Sequence, residues 1–174
     1  MSGTTSERLT ITKAFCPSTP LGKLRNSFTM DPPCEIPEWL DFVDHTADAG
    51  IVVQAADLKE LFARAAWGMF SLITDMDAIR LAEMTRVSME DGDCEGLMVK
   101  WLSELNYRHV TEHRLFGKFS IVELSEERLE AEVGGERIDP ARHTIFTEIK
   151  AVTFHGLRLR RENQVWKAQV IFDL

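Results

Sequence analysis

The sequence predicts an α+β fold, a compact single domain of mostly antiparallel β-sheets carrying two main α-helices. Three observations predict it. Apolar residues between Leu58 and Ile73 recur at helical spacing over about four turns. Trp166, Ala168, Val170 and Phe172 alternate with Lys167, Gln169, Ile171 and Asp173, as the two faces of one strand do. Two further pairs of segments read as hairpins, Phe119 to Leu124 with Arg128 to Val133, and Ile145 to Leu159 with Val165 to Phe172. A chain of 174 residues, 44% of them hydrophobic, can bury one ordinary core.

The elements follow in order. Residues 1–38 are rich in Ser, Thr and Pro, and Pro32-Pro33 and Pro37 break any helix, so this stretch is expected to be a disordered extension. A second methionine, Met30, leaves the start of the natural chain open. The ordered domain is expected over residues 39–174. Trp39 to Asp44 and Ile51 to Ala55 read as strands, joined by a polar turn from His45 to Gly50. Asp57 and Glu60 have the spacing of a capping box. Behind it Leu58, Leu61, Phe62, Ala65, Ala66, Met69, Phe70 and Ile73 form the apolar stripe of the first helix. Thr85 to Glu90 suits a short strand. The turn Asp91-Gly92-Asp93 leads into a second helix whose buried side is Leu97, Trp101, Leu102 and Leu105. The last hairpin is expected to turn at Glu162-Asn163-Gln164.

Charge and composition exclude several classes. The net charge of −8 falls within residues 39–96, since the flanking stretches each balance to zero. Direct strong nucleic-acid binding is not expected, because phosphate contacts need clustered Lys and Arg. Clustered acids suit a cation site or a basic partner, or simply a solvated face. No apolar run is long enough to span a membrane, and the first thirty residues lack the apolar core of a secretory signal. Cys16, Cys34 and Cys94 are odd in number and widely spaced, which offers neither a disulfide framework nor a zinc site. A cytoplasmic location is expected.

Four stretches could carry chemistry. Asp44-His45-Thr46-Ala47-Asp48 places two carboxylates and an imidazole within five residues at a strand end. Such oxygens suit a hard divalent cation, and the same residue types also cap turns. Asp173-Leu174 would set a side-chain carboxylate beside the terminal one, and two such anions repel unless a cation or donors are near. His109-Val110-Thr111-Glu112-His113 fits H-x-x-E-H, the pattern of an inverted zinc-peptidase helix. No third ligand accompanies it, and the solvated C-terminal end of the second helix accounts for it better. In Lys150-Ala151-Val152-Thr153-Phe154-His155-Gly156-Leu157, the residues Val152, Phe154 and Leu157 read as core. Lys150 and His155 read as groups that could touch a substrate or partner.

Taken together, four segments resemble one family, the archeases. Phe42-Val43-Asp44-His45-Thr46-Ala47-Asp48 looks like the family's signature. Leu61 to Asp75, centred on Ala-Ala-Trp-Gly-Met-Phe, resembles its first helix. Lys150 to Leu157 resembles its next marker, and Val170-Ile171-Phe172-Asp173-Leu174 its ending. The likeness covers residues 39–174 in the family's order.

The resemblance implies an accessory protein of RtcB-type RNA ligases, which join RNA ends in tRNA splicing and RNA repair. It would promote guanylation of the ligase's active-site histidine and so allow repeated turnover, without being the ligating enzyme itself. It also implies a divalent metal ion held by Asp48, Asp173 and Leu174, calcium by family, with Mg²⁺ or Mn²⁺ as the other hard ions. Asp44 and His45 would back the ligands or touch the partner. Ala49 stands where the family carries a larger aliphatic residue, and residues 1–38 and the H-x-x-E-H run have no family counterpart. Two other readings compete. A stand-alone metal-dependent hydrolase would need His45 or His155 as a positioned base. A chaperone-like module for RNA-processing proteins would need an exposed apolar patch.

Overall fold

A computed structural model describes residues 36–44 and 48–174. The elements run β1 (Leu40–Asp44), β2 (Asp48–Ala55), α1 (Leu58–Ile73), a 3₁₀ turn (Met76–Ala78), β3 (Glu83–Glu90), α2 (Cys94–Glu112), β4 (Arg114–Leu124), β5 (Arg128–Arg137), β6 (Ala151–Glu162) and β7 (Val165–Asp173). The strands form two antiparallel sheets, ordered β1-β2-β7-β6 and β3-β5-β4. The α+β reading therefore holds. The expected extension lies outside the described residues up to position 35.

The first helix forms for the reasons its sequence gives. The Glu60 N–H donates to Asp57 Oδ1 at 2.9 Å, and Glu60 Oε2 reaches back to the Ala56 N–H at 3.1 Å. The first bond satisfies a donor that the helix start leaves open, and the second ties down the residue before the cap. Leu61, Phe62, Ala65, Ala66, Met69, Phe70 and Ile73 are fully buried. They let α1 pack against β2 of one sheet and β4 of the other. Asp93 caps α2 by accepting from the Gly96 N–H at 2.7 Å. Buried Trp101 donates its indole N–H to the Phe62 carbonyl at 3.0 Å, tying α2 to α1. Phe70 meets the ring of Phe116 edge-on at 5.6 Å and that of Phe119 at 5.7 Å, so aromatic rings fill the space between helices and second sheet.

Three expectations are corrected. The H-x-x-E-H run does end α2, but His109 is not solvated. It is 6% exposed, sits edge-on to Phe70, and its Nδ1 lies 2.8 Å from the Arg114 carbonyl oxygen. His113 leaves the helix in the left-handed region at φ 52°, so the two imidazoles no longer share a helical face. Burial holds the His109 pKa below its ordinary value, against the opposing pull of the Arg114 carbonyl.

The last hairpin starts later than predicted. Residues 145–150 do not join the ladder, apart from an isolated bridge between Ile145 and Thr74. Their backbone is held instead by the Ile73 carbonyl, which accepts from the Phe146 N–H at 2.8 Å, and by Asn106. Phe154, predicted as core, is 65% exposed. The ladder of β6 on β7 steps from Thr153↔Ile171 to Arg158↔Gln169, so residues bulge out of β6 and the expected alternation is broken there. Val152 and Leu157 do pack against the core. The turn falls where expected, with Asn163 at φ 49° and Gln164 at φ 69°, the positive values a two-residue hairpin turn takes.

Candidate functional site

β2 begins at Asp48 and β7 ends at Asp173, and the antiparallel register sets these two residues directly opposite each other. Ala151 of β6 flanks Asp173 on its other side. Residues so paired project to one face of the sheet, with Cβ atoms about 4.5–5.5 Å apart. Two carboxylates in that position destabilise the pairing unless a positive charge is near. The neighbouring residues of the same face run Gly50, Val52 and Gln54 on β2, and Ile171, Gln169 and Lys167 on β7. The opposite face holds Ile51, Val53, Ala168, Val170 and Phe172, all buried against the helices. The core face thus fixes the register, and the register brings the carboxylates together.

Gly50 permits close packing beside the rung. A Cβ there would stand 2.6 Å from Ile171 Cδ1. Lys150 approaches from the segment before β6. Its N–H donates to the Asp173 carbonyl at 2.8 Å, and its ammonium donates to the main-chain oxygen of Leu174. Asn106, buried on α2, donates from Nδ2 to the Ile149 carbonyl at 2.7 Å and so anchors the residue before Lys150. Sequence reasoning missed Asn106. Its signal is a lone amide four residues after Leu102, on the helix's buried stripe.

The structure therefore gathers Asp48, Asp173, Leu174 and Lys150. Asp44 ends β1 at the register position opposite Ala49, one rung from the carboxylate pair. His45 lies outside the described residues. His155 is exposed on the β6 bulge and does not join the rung.

The donor set fits a hard cation in kind. It consists of two carboxylates and a main-chain oxygen, all oxygen ligands. Among the described residues no group of three or more His, Cys, Asp or Glu side chains could hold a metal; the oxygen that the described residues add beside the two carboxylates is the main-chain oxygen of Leu174. Hard cations complete such partial sets with water or with a partner's oxygens.

Two other polar features were not anticipated. Glu136 accepts from the Arg80 N–H at 2.7 Å, from Arg142 Nη2 at 2.6 Å and from His143 Nε2 at 3.1 Å. The Arg142 guanidinium, aided by the Arg80 N–H, pulls the Glu136 carboxyl down to about 2. This cluster secures the connection after β5. An open cleft of about 720 Å³ lies between the starts of α1 and α2 and the β4–β5 turn, lined by Leu58, Cys94, Ile121 and Leu124 among others. Burial pushes the Cys94 thiol up, with Glu126 and Asp93 adding to the shift, which is the opposite of an activated nucleophile.

The fold and the rung define a small acidic α+β domain with an oxygen-rich site at one sheet end. A profile of the Archease protein family (MTH1598/TM1083) matches residues 41–174. The chain is 38% identical over 135 residues to the protein archease of Methanopyrus kandleri, covering 76% of this chain and 96% of that one. It is 40% identical over 138 residues to the protein archease of Methanothermobacter thermautotrophicus, covering 77% and 97%. The solution structure of Methanobacterium thermoautotrophicum protein 1598 superposes with a TM-score of 0.66 at 36% identity, covering 78% of this chain and 99% of that one. A crystal structure from Thermotoga maritima, described as an archease and possible chaperone, matches at TM-score 0.52 and 18% identity, over 86% of this chain and all of that one. This chain belongs to the archease family.

Proposed function

We propose that this protein is an accessory factor of an RtcB-type RNA ligase, acting in tRNA splicing and RNA repair. It promotes guanylation of the ligase and hence multiple turnover, and it is not itself the ligating enzyme. The observation that carries this reading is the Asp48↔Asp173 rung with the Leu174 main-chain oxygen beside it. Asp48, Asp173 and Leu174 would hold a divalent cation, Ca²⁺ by family, with Mg²⁺ or Mn²⁺ of the same ligand preference. When bound, the cation supplies positive charge to phosphate or carboxylate oxygens.

This chain's own residues present and orient the tip. Lys150 holds the Leu174 oxygen and, through its N–H, the end of β7. Asn106 fixes the approach of Lys150 from α2. A ligase cleft that binds RNA phosphates and guanylate is electropositive, so an acidic tip finds it by charge complementarity. The tip promotes guanylation by contacting the competent ligase state more favourably than the other states. Of the two histidines that a free-standing hydrolase could use as a base, His155 lies off the rung and His45 lies outside the described residues.

The test is a ligation time course with limiting cognate ligase, GTP, Mn²⁺ and RNA ends bearing 3′-phosphate and 5′-hydroxyl. Repeated turnover with the unsubstituted protein, and its loss with folded Asp48→Ala and Asp173→Ala variants, is the expected result. Equal stimulation by the variants would remove the acidic tip from the account.

A further inference from the structure

We propose that Phe154, presented by the β6 bulge, is the apolar anchor that seats the acidic tip on its ligase, in an apolar pocket at the mouth of the ligase's electropositive cleft. The inference rests on the reading of the tip given above. Phe154 is 65% exposed, more than any other large apolar side chain among the described residues. An isolated exposed apolar residue is ordinary, but this one is built into place.

Between Thr153↔Ile171 and Arg158↔Gln169, β6 advances five residues while β7 advances two. The extra residues fold over the outer sheet face. Gly156 takes φ +71°, and a Cβ there would stand 2.9 Å from Ile171 Cγ1, so the turn lies directly on Ile171. Gln169 Nε2 donates to the Gly156 carbonyl at 3.2 Å and pins the bulge from β7. The bulge spends strand pairing and a left-handed glycine to expose a phenylalanine that an unbroken strand would have alternated into register. Bulges commonly re-aim a side chain in this way.

The placement names the partner. Thr153, which leads into the bulge, is two residues along β6 from Ala151 of the carboxylate rung, about 7 Å of strand. A partner surface broad enough to cover both the carboxylate rung and the start of the bulge would meet Phe154. The chemistry demanded is a cationic cleft with an apolar pocket at its edge. Aromatic anchors held on rigid backbone dominate interfaces because they bury much area at little conformational cost.

The experiment titrates the full chain against purified cognate ligase, reading both direct binding and stimulated turnover. Phe154→Ala is expected to raise the half-saturating concentration about tenfold or more, the size typical of an anchor residue, with the effect in affinity rather than in the plateau. Phe154→Leu is expected to recover part of the loss. Asp173→Ala is expected to lower the plateau instead. Thermal melting of Phe154→Ala should match the unsubstituted protein, because the ring is exposed, and a clear drop would make the role structural and overturn the proposal. Wild-type half-saturation by Phe154→Ala would overturn the anchor while leaving the ligase reading intact. Failure of the unsubstituted protein to bind or stimulate would remove the ligase reading and the anchor with it. Self-association that disappears in Phe154→Ala would assign the ring to a second copy of this chain and also overturn it.

Discussion

Asp48 and Asp173 face each other across one ladder rung, so two like charges stand side by side at the end of the sheet. Millimolar Ca²⁺ is expected to raise the melting temperature, and a chelator to reverse the rise, because a ligand that binds only the folded state stabilises it by mass action. Asp173→Asn should abolish the response while melting at or above the metal-free parent. A response that survives the substitution would place the ion elsewhere. His109 yields a pH prediction. Its folded pKa lies below the ordinary value, so its contribution is fully present above about pH 6.5 and declines as the pH falls below that. Denaturant midpoints at pH 7.5 and 5.5 should differ, and His109→Phe should narrow the gap. None of these three residues' settings is fully legible in the sequence. The pairing of positions 48 and 173 joins opposite ends of the domain, which no local pattern encodes, and the ligand set came from family resemblance. His109 sits among polar residues, so only its place on the helix's buried stripe, at the level of Phe70, hinted at burial.

Elements with an unbroken period were read correctly. The stripe and cap of α1 and the alternation of β7 are local signals, and burial follows them. Elements bent by long-range contacts were not. Ile145 and Ile149 look like strand residues, yet their segment is held by the end of α1 and by Asn106. Phe154 looked like core because alternation was carried through Gly156, the one residue that marked the bulge. Asn106→Leu is expected to free the Ile149 carbonyl and loosen the approach to the tip. Amide hydrogen exchange should then quicken at Lys150, whose N–H bonds to the Asp173 carbonyl. Unchanged protection at Lys150 would end the anchoring role. Glu136 stabilises the connection after β5 through Arg142, Arg80 and His143. Its carboxyl is depressed from its ordinary 4.5 to about 2, so this support is complete above pH 4.5 and disappears as the pH falls towards 2. Glu136→Gln should cost about 2 kcal/mol at pH 7, measured by urea denaturation, and flatten the acid limb.

At the scale of the molecule, charge is segregated by position in the chain, with the whole excess of −8 between residues 39 and 96. Two helices and two antiparallel sheets enclose the apolar core, and the first sheet offers its acidic rung at one end. Composition and periodicity were enough for the α+β class, whereas the function read for the site depends on the family to which the chain belongs. Stimulation that relies on charge complementarity should weaken as ionic strength rises, with the half-saturating concentration increasing between 50 and 300 mM salt, on the order of several-fold. The most direct measurement follows the guanylation step itself. Purified cognate ligase is incubated with labelled GTP and Mn²⁺, and covalent label on the ligase is counted over time, alone and with this protein or its Asp48→Ala and Asp173→Ala variants. Faster or fuller labelling with the unsubstituted protein, lost in both variants, is the expected result. Labelling of a competent ligase that is unaffected by the protein would contradict the proposed activation of guanylation.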